Sequence, residues 1–169
     1  MKKSPSQTDV AVILLFFTRT ETLKKTFSVI RQCRPKHLFL YQDGPRNKED
    51  KKKMTQCREI VSDDNIDWEC DVQRNYQTEN AGAWASNYKA QTWGFSLYDK
   101  CIFIEDDSTP SATFIPFCKE MLDRYEHDER ITMIAGFNHE EITPPIYVRM
   151  TIFSHRSLAS GDGPHGAGS

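Results

Sequence analysis

Two rhythms of apolar and polar positions alternate along the chain. Val10 to Phe17 is continuously apolar, as expected of a parallel strand covered on both faces. Thr18-Arg19-Thr20 turns the chain, and Thr20 is placed to cap a helix to about Gln32 with Leu23, Phe27 and Ile30 on one face. His37 to Gln42 reads as a second strand, closed by the turn Asp43-Gly44-Pro45-Arg46. Asn47 caps the next helix, which carries Glu49 and Asp50 in its first turn and Met54, Cys57, Ile60 and Val61 inward. A third strand is expected at Trp68 to Val72, where Trp68, Cys70 and Val72 alternate with acids.

Asn80-Ala81-Gly82 then breaks the chain, and a helix from about Ala83 to Leu97 carries Trp84, Tyr88 and Trp93, aromatics read as core in preference to a ligand-stacking box. Cys101 to Ile104 is a fourth strand running into Glu105-Asp106-Asp107. Ser111 is placed to cap an amphipathic helix whose Phe114, Phe117, Cys118, Met121, Leu122 and Tyr125 share a face. Ile131 to Ala135 reads as a fifth strand before Gly136-Phe137-Asn138-His139, and Ile146 to Phe153, after Pro144-Pro145, as a further extended piece. Alternating strands and helices predict an α/β fold of three layers, Rossmann-like, with a mostly parallel central sheet. The expected organisation is a flexible N-terminus over 1–9, one domain over 10–154 and an irregular tail over 155–169.

Composition narrows this picture. With 38% hydrophobic and 27% charged residues in 169, the chain suits one soluble globular domain. A net charge of −2 argues against nucleic acid as a main partner, and Lys51-Lys52-Lys53 reads as a solvated helix face. Cys33, Cys57, Cys70, Cys101 and Cys118 are odd in number and form no C-x-x-C, so neither a disulfide framework nor a zinc site is indicated and a cytoplasmic setting is expected. Lys2 and Lys3 precede the first apolar run, but Thr18-Arg19-Thr20-Glu21 follows it in place of a cleavage site. That run is also too short to span a bilayer, and no transmembrane segment is expected.

The chemistry gathers at strand ends. Glu105-Asp106-Asp107 places three carboxylates side by side, and their mutual repulsion needs a counter-charge, for which Mg²⁺ or Mn²⁺ with substrate phosphates is suited; a solvated acidic turn is the plain alternative. In doubly wound sheets ligands bind beyond the carboxyl ends of the strands, where the winding reverses. A strand order 3-2-1-4 would set Thr18 and Arg19 across that crevice from the triplet, with Asp43 near by. One basic group, one metal and a turn aspartate suit a nucleoside diphosphate.

Phe17-Thr18-Arg19-Thr20-Glu21-Thr22-Leu23, Tyr41-Gln42-Asp43-Gly44-Pro45-Arg46, Asn80-Ala81-Gly82, Ile104-Glu105-Asp106-Asp107 and Gly136-Phe137-Asn138 together resemble a GT-A-type glycosyltransferase. The similarity, over roughly residues 10 to 140, is to the N-acetylglucosaminyltransferases that begin complex N-glycan branches and to bacterial sugar transferases like them. It implies a nucleotide-diphosphate sugar as donor, a UDP-sugar being favoured, a glycan or other hydroxyl acceptor, and inversion at the anomeric carbon. It also implies roles: Arg19 near the phosphates, Asp43 at the uracil or ribose, Glu105 and Asp106 at the ribose and sugar, and Asp107 as the direct ligand of Mn²⁺ or Mg²⁺. Thr18, Gly44, Asn80 and Gly82 complete the expected nucleotide-sugar site. Each position keeps a plain alternative: Arg19 as a surface residue, Asp43 as a turn former, Asn80 as a loop residue.

The chain departs from that pattern after about residue 155. Such transferases carry a Trp/Gly-rich loop and a base-bearing segment there. Here Gly161-Asp162-Gly163-Pro164-His165-Gly166 stands instead, which is a permitted reading of codons for Trp-Gly-Trp-Ala-Thr-Trp taken one nucleotide later. The expectation is a frameshift that removes the acceptor half and the general base, with the apolar surface so exposed favouring a homodimer. His139 with Glu140 and Glu141 could serve as a base or a second metal site, or be a solvated loop. Three readings follow: a metal-dependent glycosyltransferase, crippled by truncation; a non-catalytic nucleotide-sugar-binding or interaction remnant; and a metal-dependent phosphotransferase. The last is disfavoured, because no nucleophilic Asp ends strand one and no Walker-type Gly-Lys-Ser/Thr is present.

Overall fold

The computed structural model describes residues 3–128, 130–131, 133–135 and, for the backbone, 151–154. Six strands form one sheet in the order β3-β2-β1-β4-β6-β5. β1 (Thr8–Phe16), β2 (Pro35–Gln42), β3 (Asp71–Tyr76) and β4 (Lys100–Glu105) are parallel neighbours. β6 (Thr151–Ser154) runs antiparallel to both β4 and β5 (Met133–Ala135). The expected 3-2-1-4 order and mostly parallel sheet are present. Gly136 to His139, the part of the last extended piece before Thr151, and the 155–169 tail lie outside the described residues.

Alternation along the central strands divides the core in two. Val10, Val12, Leu14 and Phe16 of β1, with Leu38 and Leu40 of β2 and Ile102 and Ile104 of β4, face α1 (Thr20–Cys33), α2 (Lys48–Ile60) and α4 (Phe114–Arg124). Ala11, Ile13, Phe39, Tyr41, Cys101 and Phe103 face α3 (Ala83–Phe95) on the other side. This is a three-layer α/β fold, and both-sided burial accounts for the unbroken apolar runs of β1 and β4.

Several expectations shift, each for a physical reason. Thr20 does not cap α1: Arg19 occupies that position and makes no side-chain cap bond, and its guanidinium reaches across to the acids after β4 instead. Ser111 likewise does not cap α4, which begins after Thr113, while the Ser111 carbonyl accepts from Phe114 N at 3.0 Å in the turn before it. Asn47 does cap α2, accepting from Asp50 N. Pairing in the third strand lies later than expected, at Asp71–Tyr76, because fully buried Trp68 acts as a plug whose Nε1 donates to the Pro35 carbonyl at 2.8 Å. The N-terminus is tied from Ser4, whose amide donates to Asp67 O and whose carbonyl accepts from Glu69 N.

α3 overturns the assignment of its aromatics. Ser86, Ala90, Gly94 and Phe95 are its buried residues, and a Cβ on Gly94 would collide with the Ile13 side chain. Small residues therefore let the helix lie close on the sheet. Trp84 and Tyr88 are 83% and 57% exposed. Only Trp93 reaches inward, edge-on to Phe39 with ring centroids 4.8 Å apart.

The five cysteines are free thiols, four of them buried and Cys70 half-buried. Burial pushes Cys57 and Cys70 up to about 11 and Cys101 to about 12. A folded-state value above the ordinary thiol value of about 8.5 contributes stability that is complete below that pH and is lost as pH rises towards the folded values. The native chain should therefore resist iodoacetamide at about pH 8, because the thiolate is the reactive form, and become labelled at all five cysteines once unfolded in urea. Mass spectrometry of the two samples checks this.

Candidate functional site

The expected site residues sit where the chain direction makes a crevice. β1 is flanked by β2 on one side and β4 on the other, and the loops after β1 and β4 lead to helices on one face while α3 covers the other, so a crevice opens beyond the carboxyl ends of these strands. A cleft of about 1020 Å³ opens there, roomy enough for a nucleoside diphosphate by comparison with typical small-molecule sites of about 300–1,000 Å³. Thr18, Arg19, Asp43, Asn80, Gly82, Glu105, Asp106 and Asp107 all line it. Gly44 lies beneath, packed against Glu79.

The acidic side is held together across β1 and β4. Asp106 N donates to Leu15 O at 2.9 Å, extending the strand pairing by one step. The buried Asp106 carboxylate then accepts from Phe17 N at 2.8 Å and from Arg19 Nη1 at 3.2 Å. Arg19 Nη1 also reaches Asp107 Oδ2 at 2.9 Å. Burial pushes the Asp106 carboxyl above its ordinary value, the Phe17 amide and the Arg19 charge pull it back, and the charge of Asp107 adds to the rise. Glu105 accepts from Asn87 Nδ2 of α3 at 2.7 Å. The loop beyond is anchored by Thr26 of α1, whose hydroxyl donates to Ser108 O at 2.6 Å.

Asp43 forms the opposite wall. Its Oδ1 accepts from Gly44 N and Ala81 N, each at 2.9 Å, and its Oδ2 from Asn80 Nδ2 at 2.9 Å and Gly82 N at 3.0 Å. Four N–H groups fill the acceptor sites of one carboxylate. Asp43 thus shapes the 80–82 loop, and reading a uracil or ribose would require it to release one of these bonds. Gly82 precedes α3 with φ +83°, a backbone state open to glycine. A Cβ on Gly44 would fall inside the Glu79 peptide.

Sequence reasoning left out several lining residues. Arg46 is one: its guanidinium grips Asp50 at 2.7 and 3.0 Å and lies 5.1 Å from the Phe17 ring centroid. Asn87, Gln91, Trp84, Tyr88 and the buried Ser86 come from α3. Their signal was the polar and aromatic recurrence at 84, 87, 88 and 91 on one helix face, which the aromatic content disguised as core. Beneath them Tyr41 Oη and Ser86 Oγ are buried without a hydrogen-bond partner at normal geometry. Burial pushes the Tyr41 phenol up, with the Ser86 hydroxyl acting the other way.

Asp107 fits a divalent cation that arrives with a diphosphate. It is half exposed, and Arg19 engages only one of its oxygens. Among the described residues no group of three or more His, Cys, Asp or Glu forms a ready-made cage. Mg²⁺ and Mn²⁺ need none, since one or two carboxylates, waters and substrate phosphates complete their shell. His139, Glu140 and Glu141 lie outside the described residues.

Removing the Asp43 carboxylate strands three backbone amides and one side-chain amide. Asp43→Ala should cost about 2 kcal/mol or more in urea unfolding, and Gly44→Ala about 1–3 kcal/mol because the 79–82 loop must move. Asp43→Asn, which keeps an oxygen in place, should cost less than Asp43→Ala, and equal losses would contradict the cradle role.

Comparison with protein-family models and with curated protein sequences gives no match. Among solved structures the chain is similar to a 4-diphosphocytidyl-2C-methyl-D-erythritol synthase from Anaerococcus prevotii. That alignment has 7% identity and a TM-score of 0.46 over 94% of this chain and 80% of the other.

Proposed function

We propose that the chain binds a nucleotide-diphosphate sugar, a UDP-sugar in preference, together with Mn²⁺ or Mg²⁺, as the donor site of a glycosyltransferase. The observation that carries this reading is Arg19 bridging Asp106 and Asp107 between the ends of β1 and β4. Two different demands meet there. Asp106 is buried and structural, whereas Asp107 and Arg19 are half exposed and face the cleft. An exposed ion pair of this kind contributes little to stability, so it can be exchanged at small cost.

On this reading Asp107 would hold the cation, and Arg19, released from it, would meet the diphosphate oxygens. A cation held there would supply Lewis-acid stabilisation of the charge developing on the leaving diphosphate. Asp106 stays on Phe17 N and keeps the 17–19 turn in place. The Asp43-shaped loop, with Arg46 beside it, forms the nucleoside wall. Glu105, oriented by Asn87, faces the sugar.

Calorimetry with UDP and Mn²⁺ tests the assignment. UDP affinity should fall about tenfold or more, roughly 1.4 kcal/mol, when the metal is chelated, and Arg19→Ala should weaken binding by a similar factor. Asp107→Ala should abolish the metal dependence. UDP binding that ignores both the metal and Asp107→Ala would overturn the site.

A further inference from the structure

The outer face of α3 remains unexplained by donor binding. Trp84 and Tyr88 stand one helical turn apart with ring centroids 6.3 Å apart and planes within 7° of parallel. Both line the cleft, yet they are 83% and 57% exposed. Large aromatic rings left in water beside a cleft expose apolar faces to whatever enters it.

The groups beside the rings are amides. Asn87 Nδ2 donates to Glu105 at 2.7 Å, and Gln91 Nε2 donates to Asn87 Oδ1. This chain of bonds fixes the wall to the end of β4, the acidic side of the cleft. Each amide nitrogen carries a second hydrogen, and the Gln91 carbonyl oxygen accepts nothing among the described residues. The wall therefore offers two parallel, exposed aromatic rings with donors and one acceptor beside them. That combination matches a pyranose, which has an apolar face of C–H bonds and a rim of hydroxyls.

We propose that Trp84 and Tyr88, with Asn87 and Gln91, are the binding platform for an acceptor sugar. The proposal rests on the glycosyl-transfer reading above for the word acceptor, while the platform itself is a claim about carbohydrate binding. The exposure of the rings decides between the two sugars of such a reaction. The donor's sugar belongs at the half-buried Glu105 next to its diphosphate, and the open rim is left for the incoming glycan.

Saturation-transfer NMR of chitobiose, cellobiose and maltose with the full chain tests this, with UDP and Mn²⁺ titrated by calorimetry on the same preparations. At least one disaccharide should receive saturation from the wild-type chain. Its affinity should fall about tenfold in Trp84→Ala and in Tyr88→Ala, substitutions of exposed rings that leave the core untouched, and by more than UDP affinity falls in the same variants. UDP binding with no disaccharide binding overturns the platform. Loss of UDP affinity in the variants with sugar affinity retained also overturns it and assigns the rings to the base. Sugar binding lost in the variants, in a chain that binds no UDP, supports the platform and removes the donor reading instead. Binding of neither overturns both.

Discussion

The two loops of the cleft are joined through a single buried carboxylate. Asp106 takes the Phe17 amide on one oxygen and the Arg19 guanidinium on the other, so the turn after β1 and the turn after β4 are held as one unit. Leaving a buried anion unpaired is costly, which makes this junction hard to open. Its neighbour Asp107 meets the same guanidinium from the exposed side. One arginine thus has a buried partner and an exposed one, and Asp106 and Asp107 of the acidic triplet differ in the same way. The repulsion that drew attention to Glu105-Asp106-Asp107 is offset by Arg19 and Asn87 before any ligand enters.

The opposite wall obeys the same logic with a different donor set. Asp43 collects backbone amides from both sides of the cleft's second loop, and Gly44 lets that loop lie against the end of β2. Behind it, Gln42 bonds to Phe17 O at 2.8 Å and accepts from Arg58 at 2.7 Å. The ends of β1, β2 and β4 are therefore cross-linked by buried or half-buried polar side chains, which gives the cleft a rigid floor and a rim free to adapt.

Much of this was legible in the residues. The unbroken apolar runs of β1 and β4 read as central parallel strands, and the polar residues at their ends marked the crevice. Arg19 and the triplet were expected to face one another, and they do. The misreadings share a cause: a local pattern outranked by a distant partner. Thr20 looked like a cap, but the residue before it was needed at the acids. Trp68 looked like strand, but a whole indole is buried against the start of β2. Trp84 and Tyr88 looked like core because they are aromatic, whereas α3 meets the sheet through Ser86, Ala90, Gly94 and Phe95, with Gly94 against Ile13. No one-dimensional pattern reports how close a helix must approach a sheet.

The claim that everything else rests on is that the crevice between β1 and β4 receives the nucleotide diphosphate. Backbone hydrogen exchange with and without UDP and Mn²⁺ locates the ligand without relying on any variant. Slower exchange should appear in the peptides carrying Phe17 to Arg19, Ala81 to Ala83 and Asp106 to Ser108. Protection absent from these peptides, or confined to the separate groove near Phe27, Arg31 and Asp67, would contradict it.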